Sequence, residues 1–146
     1  YITCANAQIK SSQINNGDYT SSLMFGIQWD LVLKHLQVKG GLSVDELTKD
    51  STNWGNYNNA TFRIENGEYT ISNSFVSNTV DTSEYVENNK KLQNRSILMT
   101  TGASSRNCKM NIYDIAGNVG EWTLEKNNKN EYPSIGRGGD ALRKRK

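Results

Sequence analysis

Proline is almost absent from this chain: Pro133 is the only one in 146 residues. Histidine occurs once, as His35, and cysteine twice, as Cys4 and Cys108. One histidine excludes a multi-histidine metal site, and two cysteines exclude a four-cysteine zinc site. No apolar run approaches the ~20 residues that a membrane-spanning helix needs. The first residues do not read as a charged-then-apolar signal peptide. A dominant charge sign is lacking as well, with 17 Lys or Arg against 15 Asp or Glu, a net charge of +2. Four of the basic residues are Arg143, Lys144, Arg145 and Lys146, which leaves 13 basic against 15 acidic elsewhere. A nucleic-acid-binding domain carries its basic face within the fold, so nucleic acid is not an expected partner. Residues 143–146 read as a solvated basic tail.

Leu, Ile, Val and Phe total 30 residues, just above the content at which chains stop folding. Low net charge argues against disorder. One domain over residues 1–142 is therefore expected, with a modest core and a polar surface. What is abundant is small and polar: 19 Asn, 14 Ser and 11 Thr. These side chains compete with helical hydrogen bonds and favour caps and turns. With so little proline, the loops are expected to turn on Asn and Gly.

Residues 3–14 read as a short helix, broken by Asn15-Asn16-Gly17-Asp18. Residues 21–39 carry the clearest helical pattern, with Phe25, Trp29, Val32, Leu33 and Leu36 at helical spacing. Met24, Ile27 and Leu31 widen that stripe, Ser21 or Ser22 can cap it, and Gly40-Gly41 stops it. His35 falls just off the stripe, as a surface residue. Ser43-Val44-Asp45-Glu46 fits a capping box for a short helix to Lys49. A polar loop follows over 50–60, with Trp54 and Tyr57 inside it. Residues 62–65 and 68–71 alternate around Asn66-Gly67, the signature of a hairpin with a type I′ turn. Residues 72–95 are irregular and 96–101 form a short apolar strand. A glycine-bearing turn within 110–125 feeds a strand at 121–125. Residues 127–130 are a turn and 135–141 a glycine-rich strand. Early helices followed by short antiparallel strands indicate an α+β fold.

Chemistry has few places to sit. Cys4 and Cys108 can pair across a long loop or remain buried thiols, and sequence leaves both open. A nucleophilic cysteine needs a base and an orienting partner, and no such set surrounds the one histidine. Two Asn-X-Ser/Thr matches, at Asn59 and Asn94, are expected by chance in so Asn-rich a chain. The segment from Tyr113 to Trp122 is more specific. It sets Asp114 and Glu121 on either side of a turn tightened by Gly117. Carboxylates with turn carbonyls between them are the raw material of a calcium site, which takes six to eight oxygens. The competing reading makes Asp114 a turn cap and Glu121 an ion-pair partner.

That segment, Tyr113-Asp114-Ile115-Ala116-Gly117-Asn118-Val119-Gly120-Glu121-Trp122, followed by Arg137-Gly138-Gly139, resembles the signature of the formylglycine-generating enzyme (sulfatase-modifying factor) family. Ser22 to Asp30 and Asp50 to Tyr57 resemble an uncharacterised bacterial branch of it. The resemblance spans residues 3–140. It implies a C-type-lectin-like fold of few helices, short strands and irregular loops. It also implies a calcium site at Asp114 and Glu121, completed by the carbonyls of Gly117 and Val119, with Asn118 and Trp122 as turn and core elements. The chain departs from the family at two points. Gly120 replaces a tryptophan of the signature, and Asp140-Ala141 follow Arg137-Gly138-Gly139 where the family has serine and tryptophan. No cysteine pair follows Gly139, so neither copper nor formylglycine-forming activity is expected. The family domain runs further at both ends, which implies a fragment or a shortened version. The resemblance thus implies a non-catalytic bacterial binding module, extracellular or at the cell surface, for a glycan, peptide or protein ligand. The alternative is a structural fragment without activity of its own, followed by an oxidase-type enzyme.

Overall fold

The computed structural model describes residues 2–14, 17–49, 51–71, 82–128 and 134–142. Asn15-Asn16 of the expected breaker, Asp50, residues 72–81, the end of the 127–130 turn and the basic tail 143–146 lie outside the described residues. In chain order the elements are α1 (Cys4–Ser12), α2 (Gly26–Val38), α3 (Val44–Thr48), β1 (Phe62–Arg63), β2 (Tyr69–Ile71), β3 (Val86–Glu87), β4 (Lys90–Lys91), β5 (Ile97–Met99), β6 (Cys108–Lys109), β7 (Ile112–Tyr113), β8 (Glu121–Lys126) and β9 (Ser134–Arg137). Short helices and short antiparallel strands make the α+β class that the sequence indicates. The residues fall into two compact units. One comprises Tyr1–Lys34 and Glu121–Arg137, the other His35–Gly120 and Gly138–Lys146.

In the first unit, Thr3 caps α1 by accepting the Asn6 N–H at 3.3 Å. Helix α2 starts at Gly26, later than Ser21 or Ser22 would have it. The Ser22 hydroxyl donates to the Leu23 carbonyl instead of capping. The chain before α2 stays extended, and the Leu124 N–H donates to the Met24 carbonyl at 2.9 Å. The Gln28 side chain takes over the cap, accepting the Phe25 N–H at 2.8 Å. Of the α2 stripe, Trp29 and Leu36 are buried and Val32 and Leu33 half-buried. Phe25, Ile27 and Leu31 are exposed, so the buried face is narrower than the spacing suggests. Strands β8 and β9 pair antiparallel from Glu121↔Arg137, with a bulge between Trp122 and Lys126. Arg137 crosses this ladder to donate to Glu125 through Nε at 2.9 Å, and it lies 3.7 Å from Asp30. The last strand ends at Arg137 and not at Ala141, because Gly138 takes a positive φ of 76°.

In the second unit the end of α2 turns through Gly41, and the Leu42 N–H closes on the Leu36 carbonyl at 3.3 Å. The α3 capping box forms as the sequence predicts: Ser43 Oγ accepts the Glu46 N–H and Glu46 accepts the Ser43 N–H. These contacts lower the Glu46 pKa. The expected hairpin around Asn66-Gly67 does not form. Strand β1 pairs with β4, and β2 pairs with β5. A type I′ turn needs positive φ at both central residues. Here Gly67 has it, at 75°, and Asn66 does not. The Glu65 and Asn66 N–H groups donate instead to the Ala103 carbonyl, which turns the segment into a crossover.

The type I′ geometry lies elsewhere. Asn88-Asn89 joins β3 to β4, and Met110-Asn111 joins β6 to β7, with φ between 49° and 60° at all four residues. Five of the seven described non-glycine residues with positive φ are asparagine, the residue type that best tolerates this region after glycine. The other two are Asp114, whose short polar side chain also tolerates this region, and Met110, which has no such side chain and is exposed. Replacing it should therefore relieve backbone strain without opening the core. Met110→Asn is expected to stabilise the chain by ~0.5–1 kcal/mol, a rise of a few degrees in melting temperature. Thermal denaturation followed by circular dichroism checks this, and an unchanged or lower midpoint would contradict it.

Candidate functional site

The signature turn is held by two buried asparagines. Asn56, on the 51–60 loop, pairs its backbone in parallel with the turn at Gly117. Its N–H donates to the Ala116 carbonyl at 3.1 Å, and its carbonyl accepts the Asn118 N–H at 2.8 Å. The Asn56 side chain donates to the Ile97 carbonyl at 2.8 Å and to Asn118 Oδ1 at 3.0 Å. The Asn118 amide then docks on Met99 of β5 at both ends. It accepts the Met99 N–H at 2.9 Å and donates to the Met99 carbonyl at 3.0 Å. The Asn118 carbonyl accepts the Ala141 N–H. Gly117 has φ +73°, and a Cβ there would overlap the Asn56 carbonyl and stand 2.9 Å from its nitrogen. Gly139 of the second motif approaches as closely: its Cβ would lie 2.6 Å from the Tyr57 ring.

Of the four residues expected to bind calcium, Gly117 pairs with the Asn56 backbone and Glu121 begins β8. Val119 is half exposed. The Asp114 side chain is buried and works as a cap, accepting the Gly102 N–H at 3.2 Å. Burial pushes its carboxyl above the usual range, while hydrogen bonds from Gly102 and the Asn107 amide pull the other way. Among the described residues no three His, Cys, Asp or Glu side chains cluster as a metal site would require. Trp122 is half-buried, with Nε1 donating to the Ile2 carbonyl at 2.8 Å.

Two cations organise the 51–61 loop, and the sequence reading missed both. Lys91 is fully buried. Its Nζ donates to the carbonyls of Tyr57 at 2.9 Å, Ala60 at 2.7 Å, Asn58 at 3.2 Å and Leu92 at 3.4 Å. Arg106 donates to the carbonyls of Asn53 at 2.8 Å, Thr61 at 2.7 Å and Thr52. The Phe62 ring lies 5.7 Å from Lys91 Nζ and 5.2 Å from the Arg106 guanidinium carbon, within cation–π range. Burial, and then repulsion from Arg106, lower the Lys91 pKa to about 8. Burial lowers that of Arg106 as well.

The same sheet shows a second row to solvent. Phe62, Lys91 and Val86 are paired and face inward, and Arg63, Lys90 and Glu87 are paired and face outward. Arg63, Lys90, Glu87 and Asn88 line a groove of about 430 Å³. Arg63 stands 24 or more positions from its partners in this row, so only the register brings it to them.

The remaining reactive groups are His35 and the two thiols. His35 is exposed. Cys4 and Cys108 are free thiols. Cys4 Sγ lies 3.7 Å from the Thr123 carbonyl. Cys108 sits opposite Tyr113, where hydrogen bonding to the thiol raises the phenol pKa. Compared with family models, curated proteins and solved structures, the chain matches none of them.

The Lys91 environment sets a sign for the pH dependence. Its pKa falls from 10.5 in the unfolded chain to about 8 when folded. Between those values the unfolded chain binds more protons, so stability rises with pH. The stability of the natural chain minus that of Lys91→Met is expected to grow by ~3 kcal/mol from pH 7.5 to 10.5. Urea denaturation of both proteins across that window measures it, and a flat or falling difference would contradict the assignment. Calcium tests the turn separately. Melting temperatures in calcium and in a chelator are expected to agree within ~1 °C, since a native-state ligand would raise the midpoint. A calcium-dependent rise that disappears in Asp114→Asn would restore the calcium site.

Proposed function

We propose that the chain is a non-catalytic binding module of the C-type-lectin-like, sulfatase-modifying-factor-like type, acting at the bacterial surface or outside the cell. One observation carries this reading: polar side chains anchor irregular loops to a small frame. The amides of Asn56 and Asn118 and the cations Lys91 and Arg106 bond mainly to backbone carbonyls and N–H groups. Such anchoring fixes loop shape with little regular structure. It leaves the outward side chains, rich in Asn, Ser and Thr, available for adaptable hydrogen bonding. The groove beside Arg63 and Lys90 is one place where this surface is concave and charged. An enzyme of the formylglycine-generating type fits less well, since His35 is exposed and neither Cys4 nor Cys108 lines the groove.

A printed array of glycans and peptides, probed with the labelled full chain, tests the proposal. Saturable binding to a restricted chemical class is expected, together with a cooperative melt of the same preparation. A cooperatively folded chain that binds nothing on the array would overturn the reading.

A further inference from the structure

The outward row of the β1–β4–β3 sheet sets two cations directly opposite each other. Arg63 and Lys90 are register partners, and like charges in that position destabilise a sheet. The surroundings add to the positive potential. Lys91 lies on the inner side of the same sheet, and Arg106, from the turn before β6, joins it beside the Phe62 ring. Two carboxylates are close by. Glu87 is the partner of Lys90 on its other side. Glu65 lies near Arg63 and is already engaged by the Ser105 N–H at 2.8 Å and the Ser105 hydroxyl at 2.9 Å. Two cations against one carboxylate line the groove and leave it electropositive, and an anion held between Arg63 and Lys90 would relieve their repulsion.

The other lining groups narrow the ligand further. Asn88 carries an amide that can both donate and accept, and Glu87 carries a carboxylate that accepts. Both are exposed at the groove, next to the cation pair. A ligand with a carboxylate next to vicinal hydroxyls matches this set. The carboxylate meets the Arg63 guanidinium, which is shaped for it, and Lys90. The hydroxyls meet Glu87 and Asn88. Acidic peptides offer the carboxylate without the hydroxyls, and neutral glycans the hydroxyls without the charge.

We infer that the Arg63–Lys90–Glu87–Asn88 groove binds the uronic acid units of an acidic polysaccharide. This rests on the binding-module reading and adds the place and the ligand class. Binding of the full chain to oligogalacturonate, neutral galactan oligosaccharide and poly-glutamate, followed by calorimetry at low and high salt, tests it. The expected result is binding to oligogalacturonate that weakens with salt, at least tenfold stronger than to either control. Arg63→Gln and Lys90→Gln should each reduce it about tenfold with no fall in melting temperature, while Lys49→Gln on α3 leaves it unchanged. Equal binding of poly-glutamate would overturn the sugar assignment while keeping a binding module. Oligogalacturonate binding that survives both glutamine variants would overturn the location. No binding of any of the three probes would overturn this inference alone, since the wider array decides the module reading independently.

Discussion

The second unit depends on one contact, the meeting of the Asn56 and Asn118 side chains at 3.0 Å. Each amide also bonds to β5, so the 51–60 loop and the signature turn are tied to one strand and to each other. Asn118 behaves toward Met99 as a neighbouring strand would, supplying both a donor and an acceptor. Both asparagines are buried, where a lost partner would leave a polar group without water. Gly117 makes the contact possible by letting the two backbones touch. The constraint thus joins sequence to packing: a positive-φ glycine, a positive-φ asparagine and a buried asparagine 62 residues away in the chain.

Local chemistry was legible in the sequence where it acts within a few residues. The α3 capping box, the α1 helix and the stop at Gly40-Gly41 depend on neighbours three to six positions apart, and they appear as read. The start of α2 was misplaced because Gln28, not a serine, supplies the cap. The Asn66-Gly67 hairpin does not form because Asn66 lacks the positive φ of a type I′ turn, and its flanking strands pair with β4 and β5 instead. The two true type I′ turns, Asn88-Asn89 and Met110-Asn111, lack the glycine that marks such turns most clearly. Their asparagines were visible only as an abundance of the residue type.

The candidate site was less legible than the fold. Lys90-Lys91 reads as a pair of surface charges, yet strand alternation sends one outward and buries the other. Only the register shows that Lys91 belongs with Phe62 and Val86, and that Lys90 belongs with Arg63 and Glu87. Asp114 and Gly117 act on backbone geometry: Asp114 caps Gly102, and Gly117 admits Asn56.

The carbonyl cluster around Lys91 and Arg106 has a kinetic meaning. The loop over residues 51–61 contains almost no regular structure, and its carbonyls are gathered by donors 31 to 54 positions further along the chain. Bringing those donors home means closing long loops first, and long-range contacts slow folding. The loop can be held in this shape only once β4 and the turn before β6 are in place. A change in the register of β4 would displace Lys91 and so reach the loop directly.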